Sequence, residues 1–316
     1  DRAERVILEV ARRCTRFDED SALSRVNREP GTFHLVPAVL ADAIEEAALA
    51  HRASDGLFDP RVLQTLVAWG YDRTFAEVVA RSAGGPGSGP AGLPAGLGPE
   101  GGSGPAGSAP ARPRTAWEPV VLPGQGRRMV RPGAALDLGG IAKGLAVRWA
   151  AAELTGSGSA VLVDAGGDLM LGGAGPDGTG WRVGVEDPHG DEGATAAPDD
   201  PGPPAQEEPV LVLELSDLAC ATSSVRRRRW RAAAGEVHHL VDPRTDLPGG
   251  EGLASVTVVH QDPAWAEVWS KTLFLAGEGQ VAREAGRRGL AAAWVTADGR
   301  IGTSTTMEPF VLWRAR

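Results

Sequence analysis

Apolar residues recur at helical spacing from the start of the chain. Val6, Ile7, Val10 and Cys14 share one face of a helix predicted over Arg2–Cys14. Val39, Leu40, Ile44, Ala47 and Ala48 define a second amphipathic helix between Pro37 and Ser54. Further helices are predicted over Lys143–Leu154, over Ala264–Ala276 with Trp265, Val268, Trp269 and Phe274 as its apolar mass, and ending at Arg283–Gly289. Between them lie runs suited to strands: Trp117–Leu122, Arg128–Val130, Ala160–Val163, Val210–Leu215, Leu253–His260 and Ala291–Thr296.

Two stretches carry no such pattern. Residues 84–114 are almost wholly Gly, Pro, Ala and Ser, and residues 189–209 are polar and Pro-rich. Neither can bury enough apolar surface to offset its ordering entropy, so both are expected to be disordered.

Composition narrows the function classes. The 316 residues are 42% hydrophobic, enough for a sizeable core, and the net charge of −9 argues against a general nucleic-acid surface. The two cysteines, Cys14 and Cys220, lack any paired metal spacing and read as buried small side chains. No apolar run reaches membrane-spanning length and no signal peptide is visible. The chain starts at Asp1 directly in helical sequence. Localisation therefore stays open between the cytoplasm and, if an N-terminal signal was removed, the cell envelope.

The chemistry concentrates in a few segments. Leu136-Asp137-Leu138-Gly139-Gly140-Ile141-Ala142-Lys143-Gly144 runs from an apolar strand end through a glycine pair into a helix. Such a junction is either a tight turn or a cradle for an anion, with free N–H groups at the helix start and Lys143 as a point charge. Asp164-Ala165-Gly166-Gly167-Asp168 predicts a hairpin turn of close backbone approach, in which Asp168 fits a turn cap as well as a ligand contact. His238-His239-Leu240-Val241-Asp242-Pro243 offers a histidine near neutrality as a proton acceptor. The Arg226–Arg229 run with Trp230 and Arg231 reads as a solvated basic face or as a holder of phosphates or an acidic target.

Taken in order, these segments resemble the FAD:protein FMN transferase (ApbE) family. Phe17 precedes Ser21-Ala22-Leu23-Ser24-Arg25-Val26-Asn27, like the family's aromatic and its Ser-x-Leu-Ser-x-x-Asn segment. Gly56-Leu57-Phe58-Asp59 and Trp69-Gly70-Tyr71 resemble its Gly-x-Phe-Asp and Trp-Gly segments. The lysine motif, the Gly-Gly-Asp turn, Trp181-Arg182-Val183-Gly184, Ala221-Thr222-Ser223 and the His-Asp-Pro motif follow in turn, with Ser224 and Asp246 where the family has glycine.

The resemblance implies a single α+β domain over residues 1–316, with mixed, largely antiparallel sheets and packed helices. Residues 84–114 and 189–209 would then be surface insertions within it. It implies binding of FAD and Mg²⁺, and transfer of FMN from FAD to a Ser or Thr of a target flavoprotein with release of AMP. Carried over, the FAD-binding positions are Phe17, Trp69, Gly70, Tyr71, Asp137, Gly139, Lys143, Gly166, Gly167, Asp168, Thr222, Leu240 and Asp242. His239 is the expected general base, with His238 its less certain neighbour. The metal would take the backbone oxygen of Gly140, with Glu267 and Ser270 as side-chain ligands.

Here the chain departs from the family. The Asp and Thr ligands, four residues apart, are replaced by Glu267 and Lys271, and a protonated lysine has no lone pair to give a metal. The family's N-terminal Met-Gly-Thr segment is also absent from this chain. Two alternatives to the transferase stay open: an FAD-binding protein of the same fold without transfer, and a Mg²⁺-dependent FAD pyrophosphatase. Partners expected are FAD and the acceptor flavoprotein, with no nucleic acid and no membrane span.

Overall fold

In the computed structural model, residues 1–83, 116–154, 160–190, 208–232 and 235–315 are described. The expected insertion at 84–114, and all but the ends of the one at 189–209, lie outside them. At the centre is a six-stranded antiparallel sheet in the order Ile301–Thr303, Ala291–Thr296, Leu253–His260, Leu218–Ser224, Leu169–Gly172, Val161–Asp164. A three-stranded antiparallel sheet of Val311–Arg314, Leu211–Leu215 and Trp181–Val185 packs on one face. Helices Pro263–Ala276 and Glu278–Arg288 cover the other.

The Leu253–His260 strand shows why the sheet lies in the middle. Val256 and Val258 point to the helices, and Val259 points to the second sheet. The strand is buried on both faces from Leu253 to Val259, Ser255 and Thr257 included. Ala219 and Ala221 on the neighbouring strand meet Ala266, and these small side chains let the helix lie close to the sheet.

The outer helices start where the sequence caps them. Asp1 and Glu4 form a capping box on helix Arg2–Cys14. Asp262, followed by Pro263 at the first helical position, starts Pro263–Ala276. Ser21 accepts from the Ser24 N–H at 2.9 Å and caps a short helix, Ala22–Arg28. Helices Arg2–Cys14, Ala38–Ala53 and Ala142–Leu154 share one core.

Some elements differ from expectation. The Trp117–Leu122 strand shortens to Val120–Val121, which pairs in a small sheet with Arg127–Arg131 and His34–Pro37. The arginine run ends in a hairpin of Arg229–Ala232 with Gly235–His238. Alternation explains it: Trp230 is buried, while Arg229 and Arg231 face outward.

Candidate functional site

The site begins at Asp137. Its Oδ1 accepts from the Gly139 N–H and its Oδ2 from Arg16 Nε, both at 2.6 Å. The other end of Arg16 donates from Nη1 to the Tyr71 carbonyl at 2.6 Å, while its Nη2 is buried without a partner. The guanidinium carbon lies 4.2 Å from the Phe17 ring centre and 4.6 Å from that of Tyr71. The two rings are 5.5 Å apart, and Phe17 remains 39% exposed, which leaves it available for stacking. Arg16 is therefore a site residue that sequence reading passed over. Its position just before the aromatic motif was the one available signal.

Two hollows adjoin here. One, about 660 Å³ including its open mouth, is lined by Arg16, Phe17, Tyr71, Phe58 and Leu240 among others. The second, about 1410 Å³ on the same measure, is lined by Lys143, Gly166, Gly167, Thr222, Ser224 and Glu267 among others. Gly139, Arg228, His239 and Lys271 line both and form the waist between them. Gly166 and Gly167, with φ of +72° and +91°, make the tight turn between strands Val161–Asp164 and Leu169–Gly172. A Cβ at either glycine would touch nothing, so their requirement is conformational.

Other expected site residues lie off the cavity walls. Trp69 packs in a cluster with Leu66, Tyr71 and Trp230, and its carbonyl accepts from Trp230 Nε1 at 2.7 Å. The Gly70 carbonyl accepts from Arg81. Asp242 is buried and holds Arg244, through Nε at 2.8 Å and Nη2 at 2.6 Å. His238 stacks edge-on to Phe274. These four shape the walls from behind.

Lys143 departs from expectation most clearly. Its ammonium donates to Asp168 and, at 2.7 Å, to Glu267, so it is engaged within the protein. Burial, the largest effect, pulls its pKa down, but the two carboxylates outweigh it and the net shift is upward. Asp168 is raised, first by burial and then by Glu267. The helix start is also largely satisfied: the Ile141 and Ala142 N–H groups donate to Leu138 O, and Gly144 N–H donates to Glu267 Oε2 at 2.9 Å.

The residues present do not fit a magnesium site. Both Glu267 oxygens are engaged, one by Lys143 and one by Gly144. Ser270 Oγ is buried, bonded to the Glu267 carbonyl at 3.0 Å and to Ser223 Oγ at 2.9 Å. The stem of Lys271 lies across Gly140, where an added Cβ would come 2.6 Å from Lys271 Cε. Gly140, Glu267 and Ser270 thus offer no open set of oxygens, and no group of three or more His, Cys, Asp or Glu suited to a metal occurs among the described residues.

His239 stands at the waist with its Nδ1 buried and unpartnered. Its pKa is held well below the usual histidine value, first by burial and then by Lys271 and Arg228, so the ring is neutral at pH 7. His238 is pushed down to about 4, chiefly by burial. The unfolded chain takes up a proton on His238 near pH 6.5, which the folded protein refuses until about pH 4. This residue therefore costs stability as pH falls through that window. Wild type is expected to lose stability relative to His238→Asn by no more than about 1.4 kcal/mol per pH unit between pH 6.5 and 4. Urea unfolding at pH 6.5 and 5 checks this, and parallel losses in the two proteins would refute it.

An aromatic hollow joined to a polar cleft through a cationic waist suits an elongated anionic ligand with a flat ring at one end. That class of site, on an antiparallel sheet backed by helices, is where comparison becomes specific. The chain belongs to the ApbE family, whose model matches residues 1–294. It is 25% identical over 299 residues to the FAD:protein FMN transferase of Salmonella typhimurium, covering 93% of this chain and 75% of the relative. The Vibrio cholerae FAD:protein FMN transferase is 25% identical over 321 residues, covering 98% and 83%. The crystal structure of the ApbE protein from Thermotoga maritima superposes with a TM-score of 0.68 at 25% identity, covering 98% of this chain and 91% of the other.

Proposed function

We propose that this chain is an FAD:protein FMN transferase that moves FMN from FAD onto a Ser or Thr hydroxyl of a target flavoprotein and releases AMP. The observation that carries it is the neutral His239, its Nδ1 unpartnered, at the cationic waist, in a chain related nearly end to end to transferases. FAD has the matching form: flat rings at its ends and an anionic pyrophosphate between them.

The chemistry follows from the residue types. The acceptor hydroxyl oxygen bonds to the phosphorus of the FMN half, the bridging P–O bond of the pyrophosphate breaks, and AMP leaves with the bond electrons. His239 takes the hydroxyl proton. Lys271 and Arg228 depress the pKa of His239 in the free protein. The pyrophosphate neutralises that same pair, so substrate binding raises the basicity of His239 when a base is needed. Phe17 offers a ring face for stacking, and Arg16 holds Asp137 and the Gly139 turn in place.

The whole-length relatives bear a transferase name, and neither alternative, a non-transferring binder or a pyrophosphatase, is favoured over it. The test is incubation with FAD and a recombinant acceptor flavoprotein, followed by intact mass and nucleotide analysis. Acceptor mass gain by one FMN unit, matched by AMP release, is expected. Titration with FAD should also quench tryptophan fluorescence, because the Trp230 ring lies 5.2 Å from that of Tyr71 in the aromatic wall. No binding at micromolar FAD, roughly −8 kcal/mol, would overturn the reading, and AMP release without acceptor gain would replace transfer by hydrolysis.

A further inference from the structure

We infer that Lys271, with Arg228 beside it, occupies the role of a divalent cation at the pyrophosphate, so that this chain binds FAD without a metal. The inference rests on the FAD reading above and departs from the Mg²⁺ dependence that the family resemblance implies.

Three observations carry it. The oxygen ligands expected for a metal are already engaged: Glu267 by Lys143 and the Gly144 N–H, Ser270 by Ser223 and the Glu267 carbonyl. The place of the cation is filled, because the Lys271 stem crosses Gly140, with Phe58 on the same face at 3.0 Å from an added Cβ. The glycine there makes room for a lysine side chain. Finally, Lys271 and Arg228 form no ion pair with a carboxylate among the described residues, and both line the two hollows at their junction.

Charge supports the same conclusion. Lys143, Lys271, Asp168 and Glu267 sum to zero when all are ionised, and Arg228 adds one positive charge; burial, the largest effect, pulls the Lys271 pKa down, with Lys143 and Arg228 acting the same way and Glu267 and Asp168 opposing them. A divalent ion added here to the free protein would leave an excess of three positive charges, and like charges at contact repel strongly in a partly buried site. An anionic pyrophosphate instead meets Lys271 and Arg228 directly, as charge-assisted hydrogen bonds.

The test is FAD affinity by calorimetry in EDTA and in MgCl₂, with wild type, Lys271→Met, Lys271→Arg and Arg228→Gln. Wild type is expected to bind equally, within about threefold, in both buffers. Lys271→Met should weaken binding on the order of 10-fold or more in both, with Lys271→Arg restoring most of it. Arg228 is exposed, so Arg228→Gln should keep its fold and still lose several-fold in affinity. Wild-type binding that falls about 10-fold or more in EDTA overturns the inference alone, as does unchanged affinity in both Lys271→Met and Arg228→Gln. Absence of FAD binding to wild type in both buffers overturns the functional reading, and the inference with it.

Discussion

Replacing His239 by alanine is expected to leave FAD affinity within a few-fold of wild type and to cut FMN transfer by roughly 10²–10⁴-fold. The ring is neutral in the free protein and its Nδ1 has no partner inside the fold. Deleting it removes no more than the ring's contact with the Arg228 backbone, and alanine keeps the backbone N–H to Arg228 O at 3.3 Å. A structural histidine would behave differently, since its loss would lower binding, stability and transfer together. The measurement is single-turnover flavinylation of an acceptor beside FAD calorimetry. Transfer by His239→Ala at near wild-type rate would remove the general-base role. A proportional fall in binding and transfer would reassign the residue to packing.

Alanine at Gly144 is expected to destabilise the fold by a net of about 2 kcal/mol, although alanine is the better helix former by about 1 kcal/mol. The motif containing Gly144 reads in sequence as either a tight turn or a cradle for an anion. In the structure this glycine is where helix Ala142–Leu154 crosses the start of helix Pro263–Ala276. An added Cβ would sit 2.5 Å from both Ala264 Cα and Pro263 O, and backbone atoms cannot swing aside as a flexible side chain can. The helices must separate, and the Gly144 N–H to Glu267 bond of 2.9 Å and the Lys143 cluster move with them. Gly286, in helix Glu278–Arg288, is the control. Nothing lies within 4 Å of its added Cβ, so Gly286→Ala should gain up to about 1 kcal/mol. Urea unfolding of the two variants should shift in opposite directions, and a gain in both would show that the helix contact can relax.

The periodic elements were legible because each depends on its own residues. Helix Arg2–Cys14 and strands Leu253–His260 and Ala291–Thr296 have the bounds that their apolar patterns predict. Less was readable where a segment depends on its neighbour. Arg229–Ala232 becomes a strand because Gly235–His238 pairs with it and Trp230 has a cluster to enter. Leu218–Ser224 lies mid-sheet because strands come to it from both sides. Those partners are fixed by pairing across the chain, which local propensity does not encode.

The same division runs through the site. Sequence determined the family and the order of its motifs, singled out His239 as the candidate proton acceptor, and placed Lys271 where the family resemblance implies a metal ligand. Only the tertiary structure decided how the charges are distributed. It turned Lys143 inward to Asp168 and Glu267, joined Arg16 to Asp137 across the fold, and left Lys271 and Arg228 at the waist. The physical reason is that a side chain's chemical type is local, whereas its charge partners and burial depend on residues more than a hundred positions away.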